Sequence, residues 1–173
     1  MGFTRRHHAV KLIIGFIFKD EAVLAKTEHL LERHFGEVDL RTKILPFYHT
    51  DYYKKEFGLD LRRQFISFKK LIPAEQLPKI KIITNKLEAK FSKNKLREIN
   101  IDPGYLDLAK LVLASTKNYV HRLYLNKGIF AEMALFYRDK TFKPWEWTYA
   151  DYRTQEYIDI FNQIREIYSN QIK

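Results

Sequence analysis

A histidine and a carboxylate two residues apart, His49 and Asp51, follow Pro46 on a segment with the composition of a loop. An imidazole and a carboxylate at this spacing can coordinate a hard metal ion or act as an acid and base pair. A structural role is the favoured interpretation, because threonine and aspartate are preferred N-cap residues and Thr50 or Asp51 would serve. His49 and Asp51 are kept as candidates for both roles.

A second group of polar side chains begins with Asn100 and Asp102 and continues with Thr116, Lys117, Asn118, His121 and Arg122. Lysine and arginine neutralise phosphate, and a hydroxyl group completes its hydrogen bonds, so this group suits an anion site. The alternative is structural: an aspartate that bonds its own backbone in a turn, and a basic hairpin edge that discourages strand addition. The two interpretations are equally good.

Glu132 is the third candidate, because it alternates with Phe130, Ala134 and Phe136 on one face of a predicted strand. Burying an unpaired carboxylate costs several kcal/mol, so a partner or a raised pKa is expected. Arg122, across a predicted hairpin, is the first candidate partner. A purely structural ion pair is the favoured interpretation.

Hydrophobic periodicity predicts the elements that must position these residues. Val10 to Lys19 is apolar on both alternating faces, which is typical of a central strand covered on both sides. Asp20 offers an N-cap oxygen and Gly36 a C-terminal stop, and these two residues bound a first helix. Alternation then predicts extended chain from Glu37 to Tyr48 and a strand from Leu61 to Ile72.

A second helix is predicted from Leu77 to Phe91, where apolar residues recur every three or four positions. A short strand from Arg97 to Ile101 then leads to Asp102 to Tyr105, which has the composition of a type II turn. The segment from Leu106 to Ser115 fits either a short helix or a buried strand.

A hairpin is predicted from His121 to Leu125 and Ile129 to Arg138, with the three residues between them as its connection. A closing helix follows from about Asp151 to Gln171. The order strand, helix, strand, strand, helix, strand is that of a ferredoxin-like split βαβ unit. We therefore predict one α+β domain over residues 1–173: a mixed or antiparallel sheet with helices packed on it, then a hairpin and a closing helix.

Basic residues are concentrated between Lys79 and Arg97. The chain has a formal net charge of +10, and this stretch holds seven basic residues against Glu88 alone, hence six of the ten net charges. A solvated helix face is the favoured interpretation; the alternative is an anionic partner, such as a nucleotide, a nucleic acid or a membrane surface. Four lysines are predicted to form a ridge on the second helix: Lys79, Lys86, Lys90 and Lys93.

Aromatic residues crowd the segment before the last helix, with Lys143 and Arg153 nearby. Rings interleaved with cations are how proteins bind single-stranded nucleic acid, although packing of the core is the favoured interpretation. The aromatic residues are Phe142, Trp145, Trp147, Tyr149 and Tyr152.

Several classes of protein are excluded by what the sequence lacks. There are no cysteines, so disulfides, Cys-type zinc sites, iron–sulfur clusters and thiol catalysis are ruled out. A phosphate-binding P-loop, a dinucleotide fingerprint, a nucleophile elbow and an HExxH pair are also missing. The apolar run from Leu12 to Phe18 is too short to span a membrane, and a cytoplasmic protein is expected. The sequence identifies no particular cofactor or metal.

Four strings, in this order and spacing, resemble the signature stretches of a prokaryotic family catalogued as domain of unknown function 4416. They are HTDYYKKEFG (His49 to Gly58), NIDPGYLDLAKLVLASTKN (Asn100 to Asn118), HRLYLNKGIFAE (His121 to Glu132) and WTYADY (Trp147 to Tyr152). The chain departs from the family pattern at Phe57, Ser115 and Ala150, where Met, Thr and Pro are usual.

The resemblance implies little about activity beyond a GTP-binding label that some members carry. No guanine-nucleotide motif of the usual type is visible in this chain. The resemblance also singles out a set of residues, which overlaps the candidates above: His49, Asp51, Tyr53, Glu56, Asp102, Thr116, Lys117, His121, Arg122, Glu132, Asp151 and Tyr152.

The leading hypothesis is a domain that binds a phosphate-bearing ligand at a basic site, either a nucleotide, GTP among them, or RNA. The ligand-binding candidates are Arg97, Thr116, Lys117, His121 and Arg122.

A second hypothesis is a hydrolase or phosphoryl-transfer enzyme that uses acid, base or metal chemistry. Its catalytic candidates are His49, Asp51, Asp102 and Glu132. A third is a protein-interaction scaffold, in which the aromatic residues from Trp145 to Tyr152 form an exposed patch.

Overall fold

An antiparallel sheet of nine strands, with helices on both faces, is the framework of the protein. The computed structural model describes residues 2–5, 7–48, 57–94 and 96–173. The strands of this sheet are β1 (Lys11–Phe18), β2 (Val38–Arg41), β3 (Leu45–Pro46), β4 (Arg62–Phe68), β7 (Ile99–Leu106), β8 (Lys110–Ser115), β9 (Arg122–Asn126), β10 (Ile129–Arg138) and β11 (Thr141–Pro144). A small separate sheet contains β5 (Ser92–Lys93) and β6 (Leu96–Arg97). The helices are α1 (Glu21–Phe35), α2 (Leu77–Lys90) and α3 (Gln155–Gln171), with 3₁₀ turns at Ala74–Gln76 and Asp151–Arg153.

The sheet has the strand order β11-β10-β8-β7-β1-β4-β2, with β3 paired to β4 and β9 paired to β10. Within it, β1, α1, β2, β4, α2 and β7 follow one another as the split βαβ pattern predicts. Each helix crossover skips one strand: β4 lies between β1 and β2, and β1 lies between β4 and β7. The α+β architecture with its hairpin and closing helix is therefore confirmed. All pairings in the large sheet are antiparallel.

Both faces of the central strand β1 are covered, and every one of its residues is buried. Alternate residues such as Leu12 and Ile14 pack in one cluster with side chains of α1 and α2. On the opposite face, Ile13 packs with Phe161 and other apolar side chains of α3. This arrangement explains why the sequence of β1 is almost continuously apolar, because neither face of the strand is exposed to water.

The predicted turn at Asp102 to Tyr105 is wrong. These residues lie inside β7, and Pro103 and Gly104 pair with Ile14 and Ile13 of β1. The glycine is needed for a close approach: a Cβ atom at Gly104 would lie 2.4 Å from the carbonyl oxygen of Val112. The turn lies instead after Leu106, where the Asp107 carboxylate accepts hydrogen bonds from two following backbone N–H groups.

Three further predictions are resolved or corrected. The ambiguous segment before Ser115 contains the buried strand β8 and not a helix. The hairpin connection has two residues rather than three, Lys127 and Gly128, both with positive φ. The lysine ridge is shorter than predicted, since α2 ends at Lys90 and Lys93 belongs to β5.

Candidate functional site

A cavity of about 580 Å³ opens where β7 and β8 separate. The two strands are paired only as far as Gly104 and Leu113, while β8 remains paired with β10 up to Ser115. The opening is lined by residues of both strands, by α2, and by the segment around Asp151 and Tyr152. It also reaches Ile17 of β1 and Arg63 of β4, and α2 and the segment before α3 contribute further parts of its wall.

Two charged side chains of α2 take over the hydrogen bonds that a neighbouring strand would make to β7. The backbone N–H of Ile101 donates to Glu88 Oε1 over 2.6 Å, and its carbonyl oxygen accepts from Lys81 Nζ over 3.0 Å. Both side chains are buried. Unpaired backbone groups would be costly here, so Lys81 and Glu88 stabilise the separated arrangement of the strands. Burial raises the pKa of Glu88, against the opposing effect of Lys81 and Arg97.

Arg63 is the most deeply buried cation in the cavity wall, with 1% of its surface exposed. Its guanidinium lies against aromatic rings, 4.7 Å from the ring centre of Phe65 and 5.2 Å from that of Tyr152. One of its nitrogens lies 3.2 Å from the Asp151 carboxylate. Burial alone would lower the pKa of Arg63, but the groups around it, Tyr152 and Asp151 foremost, raise it above the ordinary value. Arg63 is therefore a permanent positive charge.

The remaining Arg63 groups, Nε and one terminal nitrogen, are buried and make no hydrogen bond of regular geometry with a described residue, and the Tyr157 side chain interacts with the same guanidinium. Unsatisfied buried donors are rare in folded proteins, and each needs an explanation such as a functional role or a bound water or ion.

Glu132 and Arg122 form the ion pair that the strand pattern predicted, with 2.8 Å between Arg122 Nε and Glu132 Oε2. His121 Nε2 lies 3.2 Å from the same carboxylate oxygen. Arg122 also donates to the Ser115 hydroxyl, to the Lys117 carbonyl oxygen and to the Tyr149 hydroxyl. All three of its nitrogens are thus engaged, and Arg122 holds Glu132 in place.

Asp102 lies 3.3 Å from Lys81 Nζ and accepts a hydrogen bond from Asn100 over 2.6 Å. Arg97 in turn donates to Asn100 and to Glu88. Carboxylates and cations therefore alternate around the cavity in pairs: Arg63 with Asp151, Lys81 with Asp102, and Arg97 with Glu88. Among the described residues, the wall holds four basic and four acidic side chains and therefore has no net charge.

The structure brings most of the predicted site residues together. The residues that line the cavity are Arg97, Asp102, Thr116, Lys117 and Glu132. Arg122 is not one of the lining residues but binds the Glu132 carboxylate. His121 lies in a second, more open depression with Tyr119 and Trp147. His49 and Asp51 lie outside the described residues.

Sequence reasoning missed Arg63, Lys81 and Glu88. Arg63 is two residues from Phe65 on β4, so it shares a buried face with that ring. Lys81 and Glu88 occur on α2 next to the apolar positions Ile80 and Leu87. A charged residue on the buried face of a strand, or beside the apolar positions of a helix, is the sequence signal that would have identified all three as candidates.

The aromatic segment forms a column of rings beside the cavity. Trp147 stacks on Trp145 with ring centres 5.1 Å apart and on His121 at 5.6 Å. Trp145 contacts Phe136, and Tyr119 contacts His121 edge-on. The column fixes the position of His121 next to Glu132.

Within the described residues, no group of three or more histidine, aspartate and glutamate side chains is placed to hold a metal ion. The helices in this part of the chain include none that is both long enough and apolar enough to cross a membrane.

An α+β sheet extended beyond its split βαβ core, with a cavity that contains paired charges where two strands separate, defines the class of this protein. The chain belongs to the family described as Domain of unknown function (DUF4416), whose model matches residues 8–168. This agrees with the resemblance drawn from the four signature strings. No curated protein and no solved structure matches the chain.

Proposed function

We propose that this protein binds a small phosphate-bearing ligand, of the size of a nucleotide, in the cavity between β7 and β8. The observation that supports the proposal is the buried guanidinium of Arg63 in the cavity wall, two of whose nitrogens make no hydrogen bond of regular geometry with a described residue. Guanidinium groups bind phosphate through paired N–H donors, and they do so most strongly where water is excluded. A ligand anion would complete the hydrogen bonds of Arg63.

The size and lining of the cavity support a nucleotide-sized ligand. Its volume of about 580 Å³ falls within the ~300–1,000 Å³ usual for small-molecule sites. Phe47, Tyr149 and Tyr152 supply aromatic surface in its wall, against which a base or another planar group would stack. Thr116 and Lys117 are exposed on the same wall and would meet a phosphate at the entrance.

A compact ligand is favoured over RNA because Arg63, the cation on which the proposal depends, is buried in the cavity wall. The lysines that RNA could contact, Lys79, Lys86 and Lys90, are exposed on α2 instead. RNA binding would use such exposed cations and would depend strongly on salt. The alternatives of a hydrolase and of an interaction scaffold stay predictions.

The test is a binding titration of GTP, ATP, inorganic pyrophosphate and an RNA oligomer against the wild type and two variants, Arg63→Lys and Arg63→Met. We expect at least one nucleotide to bind the wild type and both variants to weaken it at least tenfold, because neither reproduces the planar donor set of arginine. Arg33→Met is the matched control, since Arg33 is exposed on α1.

Circular dichroism establishes that each variant is folded, and Arg63→Lys keeps the test valid if Arg63→Met does not fold. Equal affinity of wild type and a folded Arg63 variant would overturn the proposal. So would a wild type that binds none of the nucleotides. Tight binding of the RNA oligomer alone would favour the nucleic-acid alternative.

A further inference from the structure

We infer that the ligand also presents an N–H or O–H donor, which Glu132 accepts, so that the substrate class is an organic phosphate with hydrogen-bond donors and not a bare polyphosphate. This inference rests on the proposed function. It is carried by a second unsatisfied group in the same cavity, of opposite character to Arg63.

The two carboxylate oxygens of Glu132 are in different environments. Oε2 accepts from Arg122 and lies 3.2 Å from the His121 ring nitrogen. Oε1 is buried and has no hydrogen-bond partner among the described residues. Glu132 is 2% exposed and lines the cavity. One oxygen is thus held by the protein, while its neighbour is an unused acceptor.

The carboxylate cannot turn away to satisfy this oxygen elsewhere, because its partner is fixed. Arg122 is held by the Ser115 hydroxyl at 3.2 Å, the Lys117 carbonyl oxygen at 3.0 Å and the Tyr149 hydroxyl at 2.6 Å. A rigid second layer of this kind is what keeps a binding group in position before the ligand arrives.

Arg63 and Glu132 together define what a complementary molecule must carry. The guanidinium needs an acceptor, preferably an anion, whereas the carboxylate repels an anion and needs a donor. A nucleotide, or a sugar phosphate with free hydroxyl groups, carries both kinds of group. Pyrophosphate has no N–H group and no sugar hydroxyl, and the proton that it keeps near neutral pH lies on a multiply charged anion, which the Glu132 carboxylate repels. It would therefore satisfy Arg63 but not Glu132.

The substitution Glu132→Gln separates the two requirements. We expect its side-chain oxygen to face the donors of Arg122, so that its NH₂ group takes the place of Oε1. The variant would then offer a donor where the wild type offers an acceptor. Binding of donor-bearing ligands should weaken, and binding of a bare anion should be unchanged or stronger because a negative charge is lost.

The experiment measures the dissociation constants of GTP, ATP, ribose 5-phosphate and pyrophosphate for the wild type and Glu132→Gln. We expect at least one of the three organic phosphates to bind the variant at least tenfold more weakly, without any loss of pyrophosphate binding. Glu28→Gln is the matched control: Glu28 is also buried, its Oε2 also pairs with an arginine, and its Oε1 also lacks a described partner, but it lies outside the cavity wall.

The outcomes distinguish this inference from the proposed function. If an organic phosphate depends on Arg63 but binds Glu132→Gln as well as wild type, the inference is wrong and the proposed function stands. Equal weakening of organic phosphates and pyrophosphate would also overturn it, because Glu132 would then act through the fold. If no organic phosphate binds the wild type, both fail. Should Glu132→Gln not fold, Glu132→Asp, which keeps the charge but withdraws the oxygen, is expected to give the same selective loss.

Discussion

Arg122 and Lys117 are close together in the network around Glu132, yet their side chains have different surroundings. The Arg122 side chain is 8% exposed and pairs with a carboxylate that is 2% exposed. Lys117 lies at the exposed rim of the cavity. A buried cation engaged through all its nitrogens stabilises the fold, whereas the side chain of an exposed cation contributes little to stability.

Alanine substitution at the two positions should therefore affect stability very differently. Arg122→Ala leaves the buried Glu132 carboxylate without its arginine, with only the His121 ring nitrogen beside it, and we expect the change to lower the free energy of unfolding by about 3–5 kcal/mol. Lys117→Ala should change it by less than about 0.5 kcal/mol. Urea denaturation of both variants measures the difference. An equal change in the free energy of unfolding would show that the ion pair of Arg122 with Glu132 does not stabilise the fold.

The pairing of Arg122 with Glu132 was predictable because both residues lie on one hairpin, whose register follows from the sequence. Arg63 was not, because its carboxylate partner Asp151 is 88 residues further along the chain. The sequence around Arg63 does not indicate that this arginine of an apolar strand pairs with a carboxylate. Contacts between distant segments follow from the tertiary fold, and periodicity alone does not give them.

At the scale of elements, β7 is where prediction from local sequence failed. Proline followed by glycine is typical of a turn, but backbone pairing with β1 determines the conformation here. The long buried strand β1 and the capped helix α1 were predictable, since periodicity, N-cap and C-cap all agreed. Periodicity and capping residues that agree over a whole helix or strand therefore predict structure more reliably than a single Pro-Gly dipeptide.

Gly104 offers a direct test of how the strands separate. Its substitution by alanine would place a Cβ atom 2.4 Å from the Val112 carbonyl oxygen, a backbone atom that cannot move aside cheaply. We expect Gly104→Ala to lower the free energy of unfolding by about 1–3 kcal/mol through overpacking between β7 and β8.

The control for this prediction is Gly128→Asn in the hairpin connection. Gly128 has a φ of +76°, a conformation that asparagine tolerates, and no described atom lies within 4 Å of the point that a Cβ atom would occupy. Thermal and urea denaturation compare the two variants. A Gly104→Ala variant as stable as wild type would mean that β7 and β8 are not so closely packed.

At the scale of the whole molecule, two separate apolar clusters on opposite faces hold the sheet. The cluster under α3 includes Phe65, Tyr152 and Phe161, and Tyr152 stacks on Phe161 with ring centres 5.5 Å apart. Tyr152 also lines the cavity. The closing helix therefore supports the cavity wall as well as the core.

Removal of the Phe161 ring should weaken the whole fold. We expect Phe161→Ala to lower the free energy of unfolding by about 3–5 kcal/mol, because the ring is completely buried and leaves a void. Ile172→Ala, at a residue 40% exposed just beyond α3, should change it by less than about 0.5 kcal/mol. Chemical denaturation tests both, and a loss below about 1 kcal/mol for Phe161→Ala would contradict the role assigned to α3.

The hydrogen bonds that Lys81 donates to the Ile101 carbonyl oxygen and that Glu88 accepts from the Ile101 N–H have a further consequence for how such a protein diversifies. Because side chains of a helix, and not another strand, satisfy the backbone at the gap, the width of the gap depends on the length and charge of two residues. Substitutions at these helix positions would widen or narrow the chamber while every strand keeps its register. Chains with the same sheet and other residues at these two positions would in this way enclose cavities of different size.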